Sequence, residues 1–376
     1  MDYQTVAAGA CGRIGEAAEQ FLVEGEPYSI GRYGNGHIND TFLLCTKAPG
    51  QEGCRGRYIL QRMNTHIFAD PEGLMKNISG VTAYLREQIQ KSGGDADRET
   101  LTLVKTRQRQ DYYVDSLGSW WRMYLFITDA TGYDVAENQE DFYQSGKAFG
   151  HFQRLLDQYP VEKLVETIPD FHNTPKRLEA LSRAARADVK GRAKGVEREL
   201  AFVMDRREEI SKVMDALRQG EIPYRVTHND TKLNNVLLDD HTRRALCVID
   251  LDTVMPGTAV FDFGDSIRFG ANTAAEDELD LAKVSLSLPL FKAYTQGFLE
   301  GCANRLTDGE IRMLPWGAKL MTLECGMRFL TDYLEGDRYF RIHRPEHNLD
   351  RARVQFALAA DMERKWDGMK GLAEGV

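Results

Sequence analysis

Within VTHNDTKLNNVLLDDHTRRALCVIDLD, His228, Asp230 and Asn235 follow the order H-x-D-x-x-x-x-N, and a later apolar run ends at Asp250. These residue types, in this spacing, suit metal-assisted transfer of a phosphoryl group to a hydroxyl. A short irregular loop after YRVTH lets Asp230 face an acceptor hydroxyl as its base. Asn235 can offer an amide oxygen to Mg²⁺. The turn from Asp239 to Arg243 then returns the chain so that Asp250 offers a carboxylate to the same ion. Mg²⁺ takes hard oxygen ligands and keeps its other positions for phosphate and water. A polar loop whose Asp and Asn only cap turns would carry the same H-x-D string. The apolar strand ending in Ile249-Asp250-Leu251-Asp252 tells against that. His228 reads as an orienting group and Asp252 as the second-choice metal ligand. A competing acid, in Asp262-Phe263-Gly264, follows Pro256-Gly257 in what reads as the first turn of a helix. Asp262 is therefore expected to brace the loop, and Asp265 to be a solvated helix residue.

Phosphoryl transfer also needs a clamp for phosphate oxygens. Ile30 to Leu44, IGRYGNGHINDTFLL, offers one: glycines between two strand-like runs, with Gly34, Asn35 and Gly36 at the tip. Glycine admits close approach of backbone N–H groups and positive φ. No G-K-[ST] follows, so this is not a Walker A loop. A glycine-rich hairpin is also a common plain hairpin. In RYILQRM, Gln61 and Arg62 alternate in a strand, so only one of them can face a nucleotide.

The elements that must position these groups divide by character. From Tyr28 to about Ile127, YSIGRY, HINDTFLLC, RYILQRM, LTLVKT, DYYVD and WWRMYLFI are strand-like. One helix interrupts them, from Pro71 to about Gln90, with Asp70 as N-cap and Leu74, Ile78, Val81 and Leu85 at helical spacing. A helix opens near Glu140 and ends before Pro160, and Glu197 to Gln219 reads as one long charged helix. Further helical runs cover 286–302, 307–335 and 350–371. The class is α+β: a small antiparallel sheet plus one helix over 1–130, then a larger, mainly helical part over 131–376 that carries the H-x-D loop.

With 376 residues, 42% apolar and 28% charged, the chain has material for two lobes. Lys plus Arg number 48 against 57 Asp plus Glu, a net charge of −9 without a basic run, which argues against nucleic acid or an anionic membrane as partner. Apolar stretches such as Leu286 to Phe291 are too short to span a bilayer, and the N-terminus carries acids where a secretion signal is basic, so the cytosol is the expected location. The six cysteines lack a C-x-x-C pair and read as free thiols. A monomer or weak homo-oligomer is expected.

HNDTKLNN and VIDLD share their skeleton with the protein-kinase catalytic loop, and the chain resembles the aminoglycoside phosphotransferase and choline kinase-like superfamily. Within it the chain is similar to the N-acetylhexosamine 1-kinases, through VIDLDTVMPG, DFGDSIRFGA, AFGHFQRLL, ETIPDFHNT and RFLTDYLEGDRYFRIHRPEHNLDRAR. The resemblance implies a bilobal protein-kinase-like fold. It also implies direct in-line transfer of the ATP γ-phosphate to the anomeric C1 hydroxyl of GlcNAc or GalNAc. By motif position Asp230 is the base, Asn235 and Asp250 hold Mg²⁺, and Gly34 to Gly36 cover the phosphates. His37, Phe269, Arg328 and Tyr339 would face the sugar: an aromatic face can stack on a pyranose, and a guanidinium and a buried phenol can bond its hydroxyls. Arg328 and Asp332 could instead pair with each other at i, i+4, and Phe269 could be core. Where kinases carry a phosphate-pairing Lys this chain has Gln61 and Arg62, so Arg62 or a second Mg²⁺ is a candidate to neutralise the phosphates. The alternatives are a same-fold kinase for an aminoglycoside, an amino alcohol or another sugar, a metal-dependent phosphoesterase, and a catalytically inactive nucleotide-binding interaction protein.

Overall fold

The computed structural model describes residues 6–7, 12–34, 38–48, 50 and 53–375, so Asn35, Gly36 and His37 lie outside the described residues. The chain forms two compact units. The first takes the described residues through Ala130 together with Glu162–Ile168 and Leu246–Met255; the second takes Thr131–Val161, Pro169–Ala245 and the chain from Pro256 onward. A single cut near residue 130 therefore misses two returns of the chain to the first unit.

In the first unit, β1 (Val6–Ala7), β2 (Glu26–Arg32), β3 (Asp40–Lys47), β4 (Gly56–Arg62), β5 (Tyr113–Val114) and β6 (Trp120–Leu125) form one sheet in the order β1-β2-β3-β4-β6-β5. Every pairing in it is antiparallel. Cross-strand partners Ile30 with Leu44 and Phe42 with Leu60 place apolar side chains on one face. There they bury against Met123, Trp121 and the alanines of α1 (Arg13–Glu19). The LTLVKT run is not a strand; it makes only the isolated bridges Leu103–Tyr124 and Phe21–Thr106. Helix α2 (Pro71–Lys91) starts as its sequence predicts, with the Asp70 side chain accepting the Gly73 N–H and Pro71 in the first turn. Asn77 on α2 is buried and uses its whole amide. Its Nδ2 donates to the Val165 and Val254 carbonyls at 2.7 and 2.9 Å, and its Oδ1 accepts the Val165 N–H at 2.8 Å. One side chain thus ties both returning segments to α2.

The second unit is helical: α3 (Gln139–Leu155), α4 (Thr174–Ala187), α5 (Glu197–Met204), α6 (Lys212–Gln219), α7 (Ala259–Gly270), α8 (Leu288–Cys302), α9 (Asp308–Glu335), α10 (His347–Arg364) and α11 (Trp366–Glu374). Helix α9 begins with a Thr307–Glu310 capping box and packs against α4, α7, α10 and α11, burying Leu314, Leu320, Leu323, Met327 and Leu330. The expected 197–219 helix is instead α5 and α6. Arg206 donates to the Phe202 carbonyl and pairs with Glu363, which caps α5 without a Gly or Pro. The expected 350–371 helix breaks at Lys365, whose ammonium reaches Ser285, the Leu286 carbonyl and Asp361. No helix among the described residues is long and apolar enough to cross a membrane. Cys45, Cys54, Cys247, Cys302 and Cys325 are free thiols, and Cys11 lies outside the described residues.

Two helix pairs approach backbone to backbone. A Cβ at Gly146 or Gly150 of α3 would overlap the Tyr294 or Phe298 carbonyl oxygen of α8, and one at Gly297 or Gly301 would overlap the Tyr143 or Lys147 carbonyl of α3. Gly264 of α7 and Gly317 of α9 meet in the same way. Gly150→Ala should therefore lower the urea midpoint by the equivalent of about 3 kcal/mol. Gly371→Ala, in a helix with open space around the added methyl, should leave the midpoint unchanged or raise it slightly.

Candidate active site

The loop that carries Asp230 leaves the short strand Arg225–Thr227 and is held from behind by α7. Asp262 accepts the backbone N–H groups of His228 and Asn229 at 2.9 and 2.8 Å, and the Gln153 amide at 3.0 Å. Thr231 donates its hydroxyl to the Asp262 carbonyl and its N–H to Asp265 at 3.1 Å. His228 is buried edge-on to Phe149 and Phe152, and its Nδ1 accepts the Asp230 N–H at 3.3 Å. Asn229 takes φ +64, a left-handed turn that asparagine tolerates, so the chain reverses just before Asp230.

Asp230 is partly exposed. Lys232 lies 2.7 Å from its Oδ1, and the Asn235 amide nitrogen reaches its carbonyl at 2.8 Å and its Oδ2 at 3.3 Å. With the nitrogen so used, the oxygen is what Asn235 can offer a cation. Burial would lower the Lys232 pKa, but the Asp230 and Asp265 carboxylates outweigh it and raise it, so the ammonium stays charged. The sequence reading did not single out Lys232, although its place two residues beyond Asp230 in an irregular loop was the available signal. Asp265 corrects an expectation: it is buried and pairs with Arg268 at 2.8 Å. Burial would raise its pKa, yet Arg268, Lys232 and His172 together hold it below the usual carboxylate range.

Asp250 and Asp252 belong to the first unit. Asp250 is exposed, in left-handed backbone at φ +60, at the start of a 3₁₀ turn. Amide and carboxylate oxygens, as on Asn235 and Asp250, are the hard donors that suit Mg²⁺. Asp252 is instead buried: its Oδ1 faces Arg122 Nη1 at 2.5 Å and its Oδ2 accepts from Asn39 at 2.6 Å. Gln61 accepts from Arg122 Nε at 2.9 Å and donates to Thr41 at 3.1 Å, so both ends of its amide are engaged within the unit. Arg62 pairs with Asp40 over the Trp121 ring. Gly34 takes φ +73.

Of the residues expected to meet a sugar, Arg328 and Tyr339 come together in the second unit and Phe269 is half-buried near the end of α7. His37 lies outside the described residues. Arg328 makes no hydrogen bond or ion pair among the described residues; its guanidinium lies over Phe171, Tyr339 and Phe340 at 5.6, 5.8 and 5.5 Å. Asp332 is not its partner. It accepts the N–H groups of Arg338, Tyr339 and Phe340, shaping the loop that brings Tyr339 to Arg328. Tyr339 is exposed by 65%, not buried as expected, because that loop turns it outward. Arg177, absent from the sequence reading, donates to the Asp170 and Phe171 carbonyls, and burial and then Arg328 lower its pKa.

A family model described as a phosphotransferase enzyme family matches residues 29–291. Among solved structures, an aminoglycoside phosphotransferase from Alicyclobacillus acidocaldarius aligns with a TM-score of 0.61 at 14% identity, covering 96% of each chain. An amicoumacin kinase in complex with AMP-PNP and Ca²⁺ aligns at 0.57 and 15%, covering 94% of each chain. A microcompartment-associated aminopropanol kinase aligns at 0.56 and 16%, covering 89% of this chain and 92% of its own. At these identities the likeness shows the fold.

Asp265→Asn should cost about 3 kcal/mol of stability near neutral pH, because it leaves Arg268 short of a buried partner. A carboxylate whose pKa is lowered by folding stabilises above its ordinary value and loses that contribution as pH falls through the lowered value. Urea titrations should therefore show wild type and variant converging below about pH 4.

Proposed function

Because the chain belongs to the phosphotransferase enzyme family, we propose that it is a Mg²⁺- and ATP-dependent kinase that phosphorylates the anomeric hydroxyl of an N-acetylhexosamine, GlcNAc or GalNAc. The observation that carries the reading is the Asp230 loop: a partly exposed carboxylate oriented by Lys232 and Asn235 on backbone pinned by Asp262. A base must be fixed before it can take a proton in the transition state, and this one is fixed from both sides. Asp230 takes the proton of the attacking hydroxyl. By motif position Asn235 and Asp250 are the residues that would hold Mg²⁺, and the ion would supply positive charge against that developing on the ATP phosphates. A structural neighbour bound to AMP-PNP and Ca²⁺ supports a nucleotide with a divalent cation. With Gln61 engaged by Arg122, Arg62 is the side chain of that strand able to turn toward phosphate, at the cost of its Asp40 pair.

The acceptor is read from Arg328. A guanidinium whose donors have no partner among the described residues, caged by three rings, suits the hydroxyls and acetamido carbonyl of a neutral sugar. Arg328 lies over Phe171, Phe171 precedes His172, and His172 reaches the carbonyl of Asn229 beside Asp230, so Arg328 is tied to the Asp230 loop through a short chain of contacts. The chain's −9 charge favours the second reading, a cationic amino alcohol or aminoglycoside. Arg328 and Arg177 oppose it locally, since two neighbouring guanidinium groups repel a cation.

Phosphorus NMR with Mg-ATP should show a sugar 1-phosphate from GlcNAc or GalNAc and no product from choline or kanamycin. Product only from choline or kanamycin would overturn the acceptor. Asp230→Asn should lower turnover by about a thousandfold while ATP still binds; near wild-type turnover would remove Asp230 as base. Arg328→Met should raise the acceptor KM by about tenfold and leave the ATP KM unchanged.

A further inference from the structure

Two buried ionisable groups of the second unit have no part in the roles above. His172 precedes α4, and Glu324 lies in the middle of α9; their side chains are 8% and 0% exposed. His172 Nδ1 stands 2.9 Å from Glu324 Oε1, and Nε2 stands 3.1 Å from the carbonyl oxygen of Asn229. A carbonyl oxygen can only accept, so Nε2 carries a hydrogen. A carboxylate can only accept as well, so Nδ1 carries another, and a ring with both is an imidazolium.

Asp265 of α7 acts on the ring with its charge, burial pushes the Asp262 carboxyl of the same helix up while His172 draws it down, and Arg177 of α4 interacts with Glu324. The remaining neighbours on the ring are Phe171 and Phe261, at 4.6 and 5.9 Å between centroids. Lys232 and Arg268, the nearby cations, are drawn to Asp265. Burial alone would make the imidazolium costly, but Glu324 and then Asp265 outweigh it and raise the pKa of His172.

Asn229 immediately precedes Asp230 and is held in the left-handed region at φ +64. Asp262 takes its N–H at 2.8 Å and His172 holds its carbonyl. The residue before the base is thus clamped at both ends, one end from α7 and the other from α9. Arg328 lies one turn beyond Glu324 on α9, at i+4.

We propose that His172, as an imidazolium held by Glu324, is a positioning residue that registers the Asp230 loop to the helix carrying Arg328. The inference rests on the reading of Asp230 as base. The clamp is complete below the ordinary histidine pKa and is lost as pH rises through the raised value, so kcat should fall on a basic limb that His172 sets.

The test combines nitrogen NMR and kinetics on the full chain. In wild-type protein labelled with ¹⁵N-histidine, the His172 ring, assigned by its loss in His172→Gln, should show both nitrogens protonated at pH 7. His172→Gln, which cannot donate to two acceptors at once from the ring's positions, should lower kcat by about ten- to a hundredfold with little change in the ATP KM. Glu324→Gln should move the basic limb of kcat to lower pH, because the ring loses the charge that retains its proton. A neutral His172 ring at pH 7 in the wild type overturns the proposal even if a variant fails to fold. So does a kcat profile unaltered in both variants. If Asp230→Asn kept wild-type turnover the premise itself would fall, whereas an inactive Asp230→Asn beside unaltered His172 and Glu324 variants would overturn this inference alone.

Discussion

The buried carboxylate of Asp262 is the point from which the Asp230 loop hangs. Three N–H groups converge on it, two from the backbone of the loop and one from Gln153 of α3. Backbone N–H groups in a tight, left-handed stretch have no strand or helix partner, and leaving them buried and unpaired would cost on the order of 1–3 kcal/mol each. One acid on a packed helix removes that cost and fixes the loop's path. The helix can serve because its own place is set by backbone contact: Gly264, two residues after Asp262, lies against Gly317 of α9. A larger residue at either glycine would push α7 back and take the carboxylate with it.

The first unit solves a similar problem with an ion pair. Arg122 and Asp252 are both buried, and the pair is extended by Gln61 on one side and Asn39 on the other. Burial would cost Arg122 its charge, but Asp252 outweighs it and raises the pKa, so the guanidinium stays charged. Such a pair adds little net stability, yet removing one partner strands the other, which makes it a strict constraint on where the turn after Asp250 can lie. Both units therefore fix short turns by polar groups that are costly to leave alone.

Local signals were legible in the sequence and distant ones were not. The Asp70 cap and the spacing of Leu74, Ile78, Val81 and Leu85 give α2, because capping and burial act within a few residues. The strand-like runs give β2, β3, β4 and β6 but not LTLVKT, and the order of His228, Asp230 and Asn235 gives the loop. The break between α5 and α6 is absent from the pattern because a long-range partner of Arg206, not a glycine, ends the helix. Asp265 looked solvated because nothing in helical spacing reports that a loop runs above it. His172 and Glu324 lie 152 residues apart, and only the fold makes them neighbours. The outward position of Tyr339 is hidden from the sequence for the same reason: the acid that bends its loop is Asp332, on the preceding helix.

The side-chain amide of Asn77 bears on how the chain is made. Its three hydrogen bonds join α2 to residues 165 and 254, so the first unit contains a piece of chain synthesised long after its sheet. Contacts that far apart in sequence form late and slowly. On a ribosome the sheet and α2 emerge first, and the partners of Asn77 arrive only when the stretch through Met255 has been translated. The first unit is completed only by chain that follows its sheet. A nascent chain that stalls before Met255 exposes an incomplete unit to chaperones and proteases, even though every strand of its sheet is already present.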